Sequence, residues 1–157
     1  MTTGFAKDQN RLKQGEPLAY VIGHVPFLDT KIFLDSKPLI PRTETEFWTE
    51  KLLTAIRLKN PASPPRILDL CSGSGCIGVA LAKNLPTATI TFAEIEPQHL
   101  HTIEKNLRYN LSLKTTPLPA RYRLLVSDLF SGLAHTDKFD YIATNPPYID
   151  PALNRTA

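Results

Sequence analysis

Asn145-Pro146-Pro147-Tyr148 stands directly behind an apolar run, Phe139-Asp140-Tyr141-Ile142-Ala143-Thr144, and joins a carboxamide, two prolines and a phenol ring. The run reads as a buried parallel strand. Two prolines end it, because neither can donate a ladder hydrogen bond. Asn145, preceding proline, is held toward an extended backbone. The product is a stiff turn at the carboxyl end of a strand, where open α/β sheets bind ligands. The Asn145 carboxamide offers one acceptor and two donors, and the Pro146 carbonyl, released from the ladder, is a second acceptor nearby. Two acceptors fixed in this way can hold both N–H groups of a planar –NH2, with the Tyr148 ring against its plane. The tetrapeptide also suits a plain proline turn with a capping Asn, so its chemistry depends on what surrounds it.

Other strand ends supply polar groups. Cys71-Ser72-Gly73-Ser74-Gly75 is a small-residue loop between the strand-like run 66–70 and a helical pattern. Gly73 and Gly75 allow positive φ angles and close approach of a ligand to the backbone. Glu94 closes the next strand about 20 residues on, a spacing that brings a carboxylate to the ribose hydroxyls of a nucleotide-type cofactor. Gly78 is the only candidate third glycine, so the loop is not the dinucleotide fingerprint, and no Gly-Lys-Ser/Thr follows to make a Walker loop. Asp128, ending a third strand pattern, can accept from an adenine amino group. Singly, Glu94 and Asp128 also read as solvated carboxylates. With the loop and Asn145, all at carboxyl ends of successive parallel strands, they form one shared site.

The positioning elements follow from periodicity. Residues 1–15 are polar, and Lys7 to Gln14 could hold two helical turns without a convincing apolar face. Leu18 to Phe27 and Lys31 to Leu34 read as the arms of a hairpin turning at Leu28-Asp29-Thr30. Thr43 suits an N-cap with Glu46 in capping-box position, and Phe47, Leu52, Leu53 and Ile56 trace a helical stripe to about Lys59. After the break 60–65, strands at 66–70, 89–93, 122–126 and 139–144 alternate with helical patterns led by Ile77 and, after Pro97, by Leu100. That alternation predicts parallel βαβ units with right-handed crossovers. The expected organisation is a segment 1–60 holding the hairpin and a linker helix, then a parallel α/β domain over 61–157.

Composition sets the bounds. The chain has 157 residues, 42% hydrophobic and 21% charged, as ordinary globular domains have. No apolar run approaches the roughly 18–20 residues of a membrane span, and no signal peptide is expected at the first residues. A formal charge of +3 permits an acidic partner without arguing for one, and no basic stripe interleaved with aromatics points to nucleic acid. Cys71 and Cys76 lack two further ligands at zinc spacing, and His24, His99, His101 and His135 complete no metal site. Both cysteines read as reduced thiols, and the expected compartment is the cytoplasm. The fourteen prolines fall between the periodic segments and mark element ends.

Taken together, Ile67–Gly75, Glu94, Asp128 and Asn145–Tyr148 resemble the S-adenosylmethionine-dependent methyltransferases of the Rossmann-like class. Asn-Pro-Pro-Tyr is similar to the motif of members that methylate planar amino groups of adenine, cytosine or glutamine. Gly15-Glu16-Pro17-Leu18-Ala19-Tyr20, Gly23-His24-Val25-Pro26-Phe27 and Ile40-Pro41-Arg42-Thr43-Glu44-Thr45-Glu46 look like the signature of the glutamine-N5 methyltransferases. Within that family the match leans to enzymes modifying the Gly-Gly-Gln glutamine of peptide chain release factors. Thr43 departs from the usual Pro of that group, and Cys71 from its common Gly. The resemblance implies an α/β sheet whose first four parallel strands lie in the order 3-2-1-4 behind a β-hairpin. It implies S-adenosyl-L-methionine as cofactor, bound by Asp69, Cys71, Ser72, Gly73, Ser74, Gly75, Glu94, Asp128, Leu129 and Asn145. Asn145, Pro146, Pro147 and Tyr148 would hold and methylate the amide, with no histidine as general base and no metal. A glutamine of a ribosomal protein, an adenine-N6 substrate and an inactive remnant are the alternative readings.

The resemblance also implies pieces outside this sequence: a helical domain ahead of the hairpin and strands beyond the fourth. Strand 139–144 is therefore expected at an edge, open to pairing with another chain. The 157 residues alone are expected to be of low stability or to self-associate.

Overall fold

The computed structural model describes residues 3–147; Tyr148 lies outside them. In chain order the elements are α1 (Thr3–Lys13), α2 (Leu18–Ile22), β1 (His24–Phe27), β2 (Thr30–Phe33), α3 (Thr43–Lys59), β3 (Arg66–Leu70), α4 (Cys76–Asn84), β4 (Thr89–Glu94), α5 (Pro97–Asn110), β5 (Tyr122–Val126) and β6 (Tyr141–Thr144). Strands β5-β4-β3-β6 form a parallel sheet in that order, and β1 and β2 form a separate antiparallel hairpin. The expected α/β class, the order 3-2-1-4 and the hairpin are all present.

The sheet's centre is its driest part. Ile67, Leu68, Ile90 and Phe92 are fully buried, as parallel strands covered on both faces must be. Val79, Ala80 and Leu81 of α4, Ile103 and Leu107 of α5 and Leu53 and Ile56 of α3 join Phe27 and Ile32 of the hairpin in one apolar cluster with β3 and β4. The hairpin and α3 therefore share the core of the sheet. The opposite face is thinner: among the described residues Leu68, Leu70 and Ala93 pack with Cys71, Leu133 and Phe139.

Four local expectations are corrected. The first hairpin arm begins at His24, not Leu18, because residues 18–22 turn as helix. The Pro17 carbonyl accepts from the N–H groups of Tyr20 and Val21, and Gly23 at φ 84 closes the turn by donating to the Ala19 carbonyl. A proline before and a glycine after are the marks of a short helix, which an apolar run of five residues had masked. Second, Thr43 is not a side-chain cap; Arg42 precedes α3 and no side chain caps it. Glu46 instead accepts from the Leu28 N–H in the hairpin turn through Oε1. Third, Phe47 is exposed, and Thr45, Thr49, Leu53 and Ile56 form the buried stripe of α3. Fourth, β6 starts at Tyr141 rather than Phe139 and is not buried throughout: Ala143 is buried, whereas Ile142 is 54% exposed. Asp140 diverts the chain before it, exchanging hydrogen bonds of 2.8 Å with the backbone of Arg66. Residues 3–13 form a full helix, tethered by Arg11, whose guanidinium donates to both oxygens of Glu16 at 2.7 and 3.1 Å and to the Tyr20 carbonyl at 3.0 Å.

Candidate active site at the carboxyl ends of the sheet

All four strands of the sheet run parallel, so their carboxyl ends share one edge, where a cleft of about 490 Å³ opens. Cys71, Gly73, Glu94, Asp128, Leu129, Asn145, Pro146 and Pro147 line it. That volume lies within the range of small-molecule and cofactor sites. Eight of the residues expected from sequence thus converge on one cavity.

Glu94 is oriented before any ligand arrives. Its side chain is buried, its Oε2 accepts from the Gly73 N–H at 2.6 Å and its Oε1 from the Glu96 N–H at 3.0 Å. A carboxylate has about four lone-pair directions, so the remaining ones can still accept from hydroxyl groups. Ser127 shapes the next wall. Its hydroxyl donates to the Leu129 carbonyl at 2.7 Å and accepts from the Gly132 N–H at 2.9 Å. This curls the chain behind β5 and presents Asp128 and Leu129, the latter at φ 47, to the cleft.

Asp69, Ser72, Ser74 and Gly75 do not line this cleft. Asp69 is completely buried; its Oδ2 accepts from the Gly78 N–H at 2.9 Å and its Oδ1 has no partner among the described residues. Burial, reinforced by the charge of Glu94, pushes its carboxyl up to about 8 despite the Gly78 amide. The Ser72 hydroxyl donates to the Asp69 carbonyl at 2.7 Å. Gly75, at φ 73, precedes α4 and packs toward Ile103. Gly78, the glycine out of register with any fingerprint, lets α4 lie against β4: a Cβ there would stand 2.3 Å from the Phe92 ring. Cys71 adopts φ 58, a left-handed conformation in which a glycine is unstrained, and burial raises its thiol above the ordinary range.

Sequence periodicity gave no hint of the remaining walls. Leu39 borders the cleft from the segment between β2 and α3, which is held down by the Tyr20 hydroxyl donating to the Pro38 carbonyl at 2.8 Å. His99 also borders it, with Nδ1 2.8 Å from the Ser36 hydroxyl. Behind Asn145 a small cavity of about 40 Å³ is lined by Ile40, Thr45, Ser72, Gly73 and Ser74 among others. Asn145 Nδ2 donates to Thr45 Oγ1 at 3.2 Å across it. Among the described residues no cluster of side chains could hold a metal ion, and no helix is long and apolar enough to cross a membrane.

Comparison with known proteins agrees with this geometry. The Methyltransferase small domain family matches residues 43–156. A release factor glutamine methyltransferase of Rhodopirellula baltica is 38% identical over 140 residues, covering 88% of this chain and 45% of that protein. Its counterpart from Escherichia coli K12 is 36% identical over 140 residues, covering 89% and 46%. The chain spans about half the length of these curated relatives. The crystal structure of a SAM-dependent methyltransferase from Agrobacterium tumefaciens superposes with a TM-score of 0.58 at 17% identity, covering 79% of this chain and 39% of that one. Precorrin-6y C5,15-methyltransferase from Geobacter metallireducens gives a TM-score of 0.50 at 18% identity, covering 71% and 56%. These two likenesses are of fold.

Proposed function

The chain belongs to the methyltransferase small domain family, and on that premise we propose that it methylates the side-chain nitrogen (N5) of a glutamine, the one in the Gly-Gly-Gln motif of peptide chain release factors. The observation that carries the reading is the placement of Asn145 and Pro146 on the same cleft as Gly73, Glu94 and Asp128. The names of the relatives favour the release factor over the ribosomal protein and adenine alternatives. A translation factor as substrate makes the cytoplasm the site of action.

The residues present fit S-adenosylmethionine. Glu94, already aligned by two backbone N–H groups, is suited to the ribose hydroxyls, Asp128 to the adenine amino group and Leu129 to the adenine face. The backbone of Cys71–Gly75 would border the methionine and ribose parts, while the Asp69 carbonyl holds that loop by accepting from the Ser72 hydroxyl. When bound, the cofactor supplies a methyl group already activated by a sulfonium.

The protein's task is then to make a poor nucleophile competent. An amide nitrogen shares its lone pair with the neighbouring carbonyl. Acceptors on both of its N–H groups, from the Asn145 carboxamide and the Pro146 carbonyl, orient that lone pair and favour a more electron-rich nitrogen as charge develops. Tyr148 completes the grip on the amide plane. Alignment in a pocket shielded from water contributes the remaining acceleration. No nucleophilic side chain is required.

Incubation with methyl-labelled S-adenosylmethionine and, separately, release factor, ribosomes or duplex DNA tests this. Label is expected on the release factor glutamine, and Asn145→Ala should abolish it. Label confined to ribosomes or DNA, or an Asn145→Ala variant that still transfers, would overturn the reading.

A further inference from the structure

We propose that His99 is a cofactor-binding residue that offers its Nε2 to the nucleoside half of S-adenosylmethionine; the inference rests on the cofactor reading above and adds a contact to it. The ring borders the large cleft together with Glu94, Ile95, Glu96 and Leu129. The sheet order decides which half of the cleft that is. In the order β5-β4-β3-β6, β3 separates β4 from β6. His99 follows Glu94, the last residue of β4, and stands in the first turn of α5. It therefore belongs with Glu94 and Asp128, the residues suited to ribose and adenine, and away from Asn145 behind β6.

The half-buried ring is held by one nitrogen only. Nδ1 lies 2.8 Å from Ser36 Oγ. Ser36 is itself fixed to α5: its Oγ is 2.7 Å from Thr102 Oγ1, and its N–H donates to the same oxygen at 3.2 Å. Thr102 is buried, so this anchor is set in the core. Nε2 has no partner among the described residues. A ring locked through one nitrogen has little rotamer freedom left to lose when a ligand reaches the other. The chemistry of that ligand follows from the neighbours. Glu94, Glu96 and Asp128 border the cleft, and no lysine or arginine does, so a phosphate is poorly matched there and an uncharged nucleoside is not. Ribose hydroxyls both donate and accept, so the contact holds in either tautomer of the imidazole. A purely structural His99 would only tie the chain behind β2 to α5.

The test separates the two roles with S-adenosylhomocysteine as the probe and needs no turnover. His99→Asn places an amide where Nδ1 stands, which keeps a partner for Ser36 and removes the distal nitrogen. His99→Gln reaches the position of Nε2 and gives up the Ser36 contact. By calorimetry His99→Asn should bind about three- to tenfold more weakly, the worth of one net hydrogen bond, and His99→Gln should stay within about twofold of wild type. Urea midpoints without ligand should be the same for His99→Asn and wild type. In ¹⁵N-labelled wild type, the His99 Nε2 resonance should shift as S-adenosylhomocysteine is added. An affinity unaltered in His99→Asn, or an Nε2 resonance that does not move on binding, would overturn the proposal and leave the cofactor reading intact. A wild type that does not bind S-adenosylhomocysteine would overturn both.

Discussion

The side chain of Asn106 on α5 closes on the main chain of Phe33 from both directions: Oδ1 accepts the Phe33 N–H at 2.8 Å and Nδ2 donates to the Phe33 carbonyl at 3.1 Å. The same Nδ2 group donates to the Ser74 carbonyl at 2.9 Å. One buried carboxamide thus stands in for a neighbouring strand beside β2 and ties the hairpin to the glycine loop. Four residues on, Asn110 repeats the pairing with Lys31 at 2.9 Å in both directions. Asn106→Leu should lower stability by about 2–4 kcal/mol, since it strands backbone groups without partners. Urea denaturation measures this, and a loss below about 0.5 kcal/mol would contradict the bridging role.

Asp69 makes stability depend on pH in an unusual direction. Its carboxyl lies near 8 in the folded chain and near 4 when unfolded. Between these values the folded state holds a proton that the unfolded state has released, so stability falls as pH rises from about 4 to about 8 and then levels. The slope contributed is at most about 1.4 kcal/mol per pH unit. Asp69→Asn keeps an acceptor for the Gly78 amide and removes the titration. Urea midpoints at pH 5, 7 and 9 should decline less in Asp69→Asn than in wild type; parallel declines would refute the assignment.

Gly78→Ala tests the contact of α4 with β4. The added Cβ would approach Phe92 Cε1 to 2.3 Å and Asp69 Oδ2 to 2.8 Å, distances that force helix and strand apart. A loss of about 2 kcal/mol or more is expected from overpacking, accompanied by weaker cofactor binding in calorimetry, because α4 carries the loop. Retained stability would show that the helix shifts freely.

Cys71 holds a left-handed φ of 58, worth roughly 1 kcal/mol of strain for a residue with a side chain. Cys71→Gly relieves this but gains freedom when unfolded, so thermal stability should change by no more than about 1 kcal/mol. Cys71→Val, branched at Cβ, should melt distinctly lower. A valine variant as stable as glycine would show that the loop relaxes to a negative φ.

Among the described residues β6 pairs only with β3, and Ile142 on it is 54% exposed. A free edge with an apolar side chain invites pairing between chains. Size exclusion should show self-association that grows with concentration and diminishes in Ile142→Lys. A wild-type chain that stays monomeric at all concentrations would remove the edge as a cause.

The four parallel strands, the glycine loop and the cluster of Glu94, Asp128 and Asn145 were legible in the residues, while the strand order came from the family resemblance. Apolar runs, glycines and prolines act over a few residues, and the carboxyl ends of parallel strands must share one edge. The helix at 18–22 was hidden because five apolar residues carry no period. What only the tertiary structure decided are the partners. Glu46 has capping-box spacing, yet its carboxylate goes to the hairpin. Asp69 has the pattern of a ligand-binding residue, yet it is sealed beneath the loop. Asn106 carries no local signal, and Thr45 stands in the segment 40–46 with nothing to point to its partner; they meet Phe33 and Asn145 across 73 and 100 positions. A buried polar group must find a partner wherever the packed chain provides one, and local sequence does not encode which distant segment that is.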